Sequence, residues 1–303
     1  MELLGKTNID FMGKRNISFI ISAIITIVGI IGIIQIGRGA ANMGIDFSGG
    51  TSMQLKFEKP LAIAKARSAL HNSGIDKVDL QEIKDGNKLL VKMAGAAVGK
   101  QSEIVQEAFK KEFTDNPFTV ESTTEIGPSI GDKLRKDTII AVVLSLLCII
   151  IYIAWRFDFK FGIGATAATM HDVMAIIAVF YVMDKEINLL FITAVLTVAG
   201  YSLTDTVVVF DRIRENLHKN MKSALHNVFN GSINEVLSRT IVTSLTTFMA
   251  AGALFFLGGE VIHDFSFALM IGIAVGTYSS IFLATPIVLL LEQRAVVKKS
   301  ETA

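Results

Sequence analysis

The sequence predicts a polytopic α-helical membrane protein: six transmembrane helices, with a small α+β, ferredoxin-like domain between the first and the second. Three observations carry that prediction. The 303 residues are 51% hydrophobic and only 19% charged, below the usual quarter for soluble domains, and the mean hydropathy is +0.52. The apolar residues fall into long blocks separated by charged segments, as bilayer-spanning helices require. One polar interval, 37–137, is the size of a small domain and carries strand and helix periodicities of its own. The formal net charge of +1 gives no electrostatic case for nucleic acid.

Residues 1–16 form a polar N-terminus containing Lys6, Lys14 and Arg15. The first apolar block, 17–36, is too long for a signal-peptide core and lacks a small-x-small cleavage site, so it is expected to be retained as a span. In the polar interval, "TSMQLKFE" (Thr51–Glu58) alternates as a strand does, and "LAIAKARSALHNSG" (Leu61–Gly74) has helical periodicity with a Gly stop. "VDLQEIKD" and "KLLVKMAG" flank Gly86-Asn87 as hairpin strands do. "KQSEIVQEAFKKEF" (Lys100–Phe113) is a second amphipathic helix, and "FTVESTTEI" (Phe118–Ile126) a last strand. The order β-α-β-β-α-β is that of a ferredoxin-like unit.

Five further blocks, 138–155, 161–183, 187–210, 236–257 and 265–291, are long enough to cross the hydrocarbon core, which takes about 20 residues. Trp155, closing the shortest of them, suits an interfacial anchor. Residues 292–303 form a tail. Between the fourth and fifth spans, Leu217, Met221, Leu225 and Phe229 recur at four-residue spacing, which fits either a helix along the membrane surface or an ordinary connector helix. Orientation follows from Lys and Arg in the short loops. Lys14, Arg15, Arg156, Lys160, Arg212, Arg214, Lys219, Lys222, Arg294, Lys298 and Lys299 all fall on one side, as does Arg239 at the edge of the fifth span. The other side's short loops hold only Lys185. Both termini are therefore expected to be cytoplasmic, and the polar domain to face the opposite compartment.

In the fourth span Thr193, Thr197, Tyr201 and Asp205 recur every four residues, which draws one polar stripe along the helix. Such a stripe should face other helices or a cavity rather than lipid. Arg239 lies near the cytoplasmic start of the fifth span, so antiparallel packing places it at about the depth of Asp205, with Thr243, Thr246 and Thr247 extending its face. The functional expectation is a protonatable Asp205 partnered by Arg239, because burial favours the neutral acid and a guanidinium the carboxylate; the bland alternative is a static ion pair. In the third span Asp172 belongs either to a proton path or to hydrogen bonds with a neighbouring Ser or Thr. Its neighbour His171 reads as a packed core histidine.

The remaining histidines, His71, His218, His226 and His263, lack metal-ligand spacing, and Cys148 is the single cysteine. Neither a metal nor a cofactor is expected. "GIGATA" (Gly162–Ala167) matches a dinucleotide-binding pattern but opens a membrane span and follows no strand. Its small residues, with Gly272 and Gly276 in the sixth span, suit close helix packing. A phosphate-binding Gly-x-x-x-x-Gly-Lys-Ser/Thr loop is missing, and so are the Gly-x-Ser-x-Gly and His-Glu-x-x-His motifs; an enzyme is not expected.

Six motifs in order, "GIDFSGGT" (Gly44–Thr51), "EIGPSIG" (Glu125–Gly131), "HDV", "GYSLTDTVVVFDRIREN" (Gly200–Asn216), "LSRTIVTSLTT" (Leu237–Thr247) and "GTYSSIFLATP" (Gly276–Pro286), cover nearly the whole chain. Together they resemble the SecF type of the SecD/SecF protein-export family, within the RND superfamily. The motif residues Gly44, Asp46, Gly49, Gly50, Gly127, Pro128 and Gly131 carry the likeness outside the spans. Thr204 departs from the Asn common before the acid, and Ser48 from the usual Thr. The resemblance implies half of a pseudo-symmetric twelve-span transporter with SecD as the other half, in the bacterial inner membrane. It also implies association with the SecYEG channel and YajC. Such a complex would use the proton-motive force to help pull preproteins out on the periplasmic side after SecA has driven them with ATP. It places the family's membrane acid and arginine on Asp205 and Arg239. Against it stand a proton-driven exporter of small molecules or lipids, which usually carries both halves in one chain, and a non-transporting scaffold, for which two buried charges are a costly glue.

Overall fold

Apolar length becomes helix along the chain. The computed structural model describes residues 5, 7–75, 78–83, 87–94, 100–220 and 223–301. Among them, six helical stretches are long and apolar enough to cross a membrane. The fold divides into two units, one of Met1–Ala41, Val142–Lys185 and Leu190–Ala303, the other of Asn42–Ala141 with Glu186–Leu189.

The second unit is the polar domain. It opens with a short helix α2 (Ile45–Ser48), α1 being the first membrane helix (Arg15–Gly37). The order then runs β1 (Gly50–Phe57), α3 (Ile63–Asn72), β2 (Asp79–Ile83), β3 (Lys88–Ala94), α4 (Lys100–Glu112) and β4 (Phe118–Ile126). All pairings are antiparallel and the sheet order is β2-β3-β1-β4, the ferredoxin-like arrangement. Alternation in β1 turns Met53, Leu55 and Phe57 inward against Ala66, Ala69 and Leu70 of α3 and Val105 and Phe109 of α4. Phe57, Phe109, Phe113 and Phe118 meet edge-on or tilted, with centroids 5.4 Å apart at the closest. The hairpin turn expected at Gly86 lies outside the described residues; its last member, Asn87, has φ +56°, a conformation that asparagine tolerates.

The membrane unit is built on α1, α6 (Phe159–Val182), α7 (Leu189–Lys219) from Leu190 on, α8 (Leu225–Leu257), α9 (Glu260–Ser279) and α10 (Thr285–Glu301), with Val142–Arg156 of α5 (Pro128–Arg156). Its most enclosed helix is α6: 61% of its most apolar stretch is buried, against 6% in α5. The cause is side-chain size. Ala165 and Ala168 are fully buried, and a Cβ on Gly164 would stand 2.7 Å from Val288 and 2.9 Å from the Ala284 carbonyl. Trp155, at the end of α5, is 83% exposed.

The sixth span is not one regular helix. Residues Ser280–Ala284 form a π-turn between α9 and α10. Pro286 has no N–H to give the carbonyl one turn back, which removes a regular α-helical bond at this point. Thr285 Oγ1 instead donates to the Ser280 carbonyl at 2.8 Å. The segment between the fourth and fifth spans corrects an expectation. Rather than one separate surface or connector helix, α7 continues to Lys219 and α8 begins at Leu225; Met221 lies outside the described residues. The four-residue recurrence arises because Leu217, Leu225 and Phe229 each extend the apolar face of a membrane helix onto one core with Phe210 and Ile213.

Candidate functional site

Two carboxylates are buried within the membrane unit. Asp172, in the middle of α6, is wholly enclosed. Ser202 of α7 and Ser279 of α9 both donate to its Oδ2, the latter at 2.9 Å. His171 Nδ1 lies 3.2 Å from Oδ1. Adjacent helical residues point apart, yet the imidazole folds back to reach its neighbour's carboxylate. His171 is as buried as expected for a core residue, and its Nε2 has no hydrogen-bond partner among the described residues. The ring faces Tyr278, whose hydroxyl donates to the Ser18 carbonyl of α1 at 3.0 Å. Asp172 thus joins α6, α7 and α9 by hydrogen bonds to serines, one of the two arrangements anticipated for it.

Close helix approach makes this possible. A Cβ on Gly272 would fall 2.3 Å from Val198, and one on Gly276 2.9 Å from the Ser202 Cβ. The two glycines let α9 lie against α7, which brings Ser279 and Ser202 to the same carboxylate.

Asp205, one turn beyond Ser202 on α7, is enclosed by less. It is 7% exposed, and Ser244 of α8 donates to Oδ2 at 3.1 Å. Thr277 of α9 in turn donates to Ser244 Oγ at 2.7 Å. The anticipated ion pair with Arg239 is not formed: among the described residues neither group has an ionic partner within 4.0 Å, and Arg239 is exposed. Antiparallel neighbours share depth, but rotation about the helix axis decides which way a side chain turns. Arg239 is five residues before Ser244, and a helix turns about 500° over that interval, leaving the two some 140° apart.

The stripe expected along α7 divides likewise. Thr193 and Thr197 are exposed, as is Thr204, while Asp205 is buried. Thr197 satisfies itself on the Thr193 carbonyl at 2.7 Å. Tyr201 donates to Thr247 at 3.3 Å, beside a cavity of about 170 Å³ between α7, α8 and α9. On α8, Thr243 donates to the carbonyls of Arg239 and Thr240, and Thr246 to that of Val242. The result is a face of Thr193, Thr197, Thr204, Arg239, Thr243 and Thr246 at membrane depth that no other part of the described chain covers. At the end of that face where α7 runs on to Lys219, Arg212 joins Glu215 and Glu235, and Asn216 donates to Glu235 at 2.8 Å.

The glycine-rich motifs meet in the polar domain. Gly49 has φ +70° and packs within 3.1 Å, measured from a built Cβ, of Pro128, so a side chain there is both strained and obstructed. Gly131 stands against Gly49 and Phe47, Gly50 begins β1, and Gly127 links β4 to α5. Gly44 and Asp46 sit at α2, against the Glu186–Leu189 loop. The serines around both acids, with Thr277, were not singled out from the sequence: isolated Ser and Thr in spans are common, and nothing in their spacing marks a shared partner. No cluster of metal-ligating side chains occurs among the described residues.

Comparison with known proteins gives one answer throughout. Residues 105–294 match the family described as protein export membrane protein SecD/SecF, C-terminal, and residues 41–61 match the SecD/SecF GG motif. A protein translocase subunit SecF from Thermodesulfovibrio yellowstonii is 54% identical over 99% of this chain and all of that protein. One from Calditerrivibrio nitroreducens is 40% identical, covering 96% of this chain and 97% of its own. The crystal structure of SecDF from Thermus thermophilus superposes with TM-score 0.82 at 32% identity, covering 95% of this chain and 39% of that longer one. A SecDF structure in a super-membrane-facing form gives TM-score 0.72 at 32% identity, over 99% of this chain and 41% of the other.

Proposed function

The chain belongs to the SecD/SecF family of protein-export membrane proteins, and from that premise we propose that it is the SecF-type half of a proton-driven accessory motor, with Asp205 as the proton-coupling group. It is a multi-pass membrane subunit of a bacterial translocase. The observation that carries the coupling reading is the contrast around Asp205: one serine donor on its buried side, and next to it a polar face with an exposed guanidinium. A cation at membrane depth is unfavourable against lipid and finds its place against protein or water. The face of Thr193, Thr197, Thr204, Arg239, Thr243 and Thr246 is therefore the seat of the SecD-type partner, which completes the surroundings of Asp205 and Arg239.

In that assembly, proton binding at Asp205 changes the charge balance opposite Arg239, and the pairing of the two halves changes with it. A charge crossing the membrane potential gains about 2.3 kcal/mol per 100 mV, enough to bias a conformational equilibrium. Asp172, satisfied on both oxygens within the chain, serves to hold α6, α7 and α9 together rather than to carry the proton. The same reading puts the protein in the inner membrane with both termini cytoplasmic and the ferredoxin-like domain periplasmic. The SecYEG channel, YajC and SecA are its working partners, and the preprotein its cargo.

The test is gradient-stimulated protein export in vesicles reconstituted with the SecD-type partner and the channel. Asp205→Asn and Arg239→Met should each abolish the stimulation while the complex still co-purifies. Stimulation equal to wild type in both variants would sink the coupling reading.

A further inference from the structure

A row of oxygens runs from Asp205 to the backbone of α9. Ser244 Oγ stands 3.1 Å from Asp205 Oδ2, Thr277 Oγ1 stands 2.7 Å from Ser244 Oγ, and the Ile273 carbonyl stands 2.8 Å from Thr277 Oγ1. Its members come from three helices: Asp205 from α7, Ser244 from α8, Thr277 and Ile273 from α9. Asp205, Ser244 and Ile273 are buried, and Thr277 is half-buried. A hydroxyl has one proton to give and lone pairs with which to accept, whereas a backbone carbonyl only accepts. Thr277 therefore has one proton for two acceptors in reach. An ionised Asp205 also only accepts, so Ser244 donates to it and Thr277 donates to Ser244. A protonated Asp205 donates to Ser244 Oγ instead. Ser244 then gives its proton to Thr277 Oγ1, and Thr277 gives its own to the Ile273 carbonyl. The same four groups, at the same spacing, have a complete arrangement for each charge state of the acid.

We propose that Ser244 and Thr277 are positioning residues for the proton on Asp205: the row Asp205–Ser244–Thr277–Ile273 reverses the direction of its hydrogen bonds when Asp205 gains or loses that proton. The inference rests on the coupling role proposed for Asp205. One proton joins or leaves Asp205 Oδ2, two hydroxyls rotate, and no O–H bond of Ser244 or Thr277 breaks. A buried polar group left without a partner is costly, and a fixed donor would lay that cost on the neutral acid. The reversible row removes it from both states, so the proton exchanges while α7, α8 and α9 stay bonded to one another. The charged and titratable groups around the acid lie outside the row. Arg239 of α8 acts on Asp205 through its charge, and on α6 Asp172 and His171 pair with each other. Tyr201 of α7 donates to Thr247, and Tyr278 of α9 to the Ser18 carbonyl.

The two hydroxyls serve different charge states, so removing them should move the acid in opposite directions. Ser244→Ala takes the donor from the charged form, while Thr277 still has the Ile273 carbonyl. The neutral acid is then favoured. Thr277→Val leaves the charged form its Ser244 donor and takes away the acceptor that Ser244 needs beside the neutral acid. The charged acid is then favoured. The experiment uses the whole chain with its SecD-type partner in vesicles and reads, by infrared spectroscopy, the pH at which the protonated-carboxyl band appears. That pH should rise by about one pH unit in Ser244→Ala and fall by about one pH unit in Thr277→Val. Thr277→Ser keeps the hydroxyl and should titrate as wild type does. Side chains that only pack the helices would move neither.

Shifts of the same sign in the two variants, an unmoved band in Thr277→Val, or a Thr277→Ser variant that does not restore the wild-type pH would each overturn the assignment. If Thr277→Val does not assemble, Thr277→Cys carries the same test. Its thiol is a weak acceptor, so the band should move to lower pH by a smaller step, and an unmoved band there overturns the assignment too. Asp205→Asn run beside them separates the two ideas. If it keeps both the band and gradient-stimulated export, the coupling role itself is wrong. If it loses both while Thr277→Val titrates as wild type, only the reversing row is wrong.

Discussion

Asp172 and Asp205 are both acids inside the membrane unit, on neighbouring helices, and their surroundings differ in one respect. Asp172 receives Ser202, Ser279 and His171, so both its oxygens are engaged by this chain alone. Asp205 receives Ser244, and beside it lies the exposed face with Arg239. Burial by itself does not distinguish them. The distinction is whether the hydrogen bonding closes within the chain or is left for something else to complete. A closed site holds helices together, because every group in it has an alternative only at the cost of an unpaired buried partner. An open one can change state without dismantling the bundle.

The sharpest way to break this comparison is at the closed site. Asp172→Ala should lower the stability of the detergent-solubilised protein by about 2–3 kcal/mol, since it leaves buried hydroxyls and an imidazole without their acceptor. Asp205→Asn, which keeps an acceptor for Ser244, should cost less than about 1 kcal/mol in the same thermal unfolding measurement. Equal losses would mean that the two acids do the same job. Gly272→Ala probes the approach of α7 and α9 that makes Asp172's closure possible. Its methyl would sit 2.3 Å from Val198, and overpacking of this kind costs about 1–3 kcal/mol. Unchanged stability there would show that the helices have slack and that the serines are held some other way.

On the open side, Thr243→Val with Thr246→Val keeps side-chain shape while removing two hydroxyls from the exposed face. Both now bond to their own helix backbone, so folding should be unaffected, and co-purification of the SecD-type partner should fall a few-fold. Full retention of the partner would place its seat elsewhere. The smallest effect is expected far from either acid, where the N-terminal segment lies on α8. Asp10 accepts from the Gly13 backbone N–H and the Asn230 amide, which hold its carboxyl below the usual carboxylate range. A lowered folded-state value gives stabilisation present above the unfolded value, near pH 4, and lost as pH falls through the folded one. Protection of residues 9–12 from exchange should therefore weaken only in that acid range, and Asp10→Asn should flatten the dependence.

How much of this was legible in the sequence follows the range of the interactions. The spans were legible because hydropathy is a property of contiguous residues, and the polar domain because strand and helix periods are local. In Phe118–Ile126 even the ends of the strand agree. Asp205 stood out because an acid in an apolar run is conspicuous by itself. Its surroundings were legible in part: sequence depth brought Arg239 alongside, near enough for its charge to act on Asp205, but only the rotation of α8 shows that the direct hydrogen bond comes from Ser244. The closure of Asp172 depends on residues 30 and 107 positions away, and the row beside Asp205 on steps of 39 and 33 positions. Serine and threonine at those points carry no local signal of the contact.

The central proposal is that proton coupling runs through Asp205 rather than through Asp172. Infrared difference spectroscopy of the complex with its SecD-type partner, recorded as pH is stepped across the physiological range, reads protonated carboxyl groups directly. A carboxyl band that appears with acidification in wild type and in Asp172→Asn, and is missing in Asp205→Asn, is the predicted result. A band that survives Asp205→Asn, or vanishes in Asp172→Asn, would contradict it.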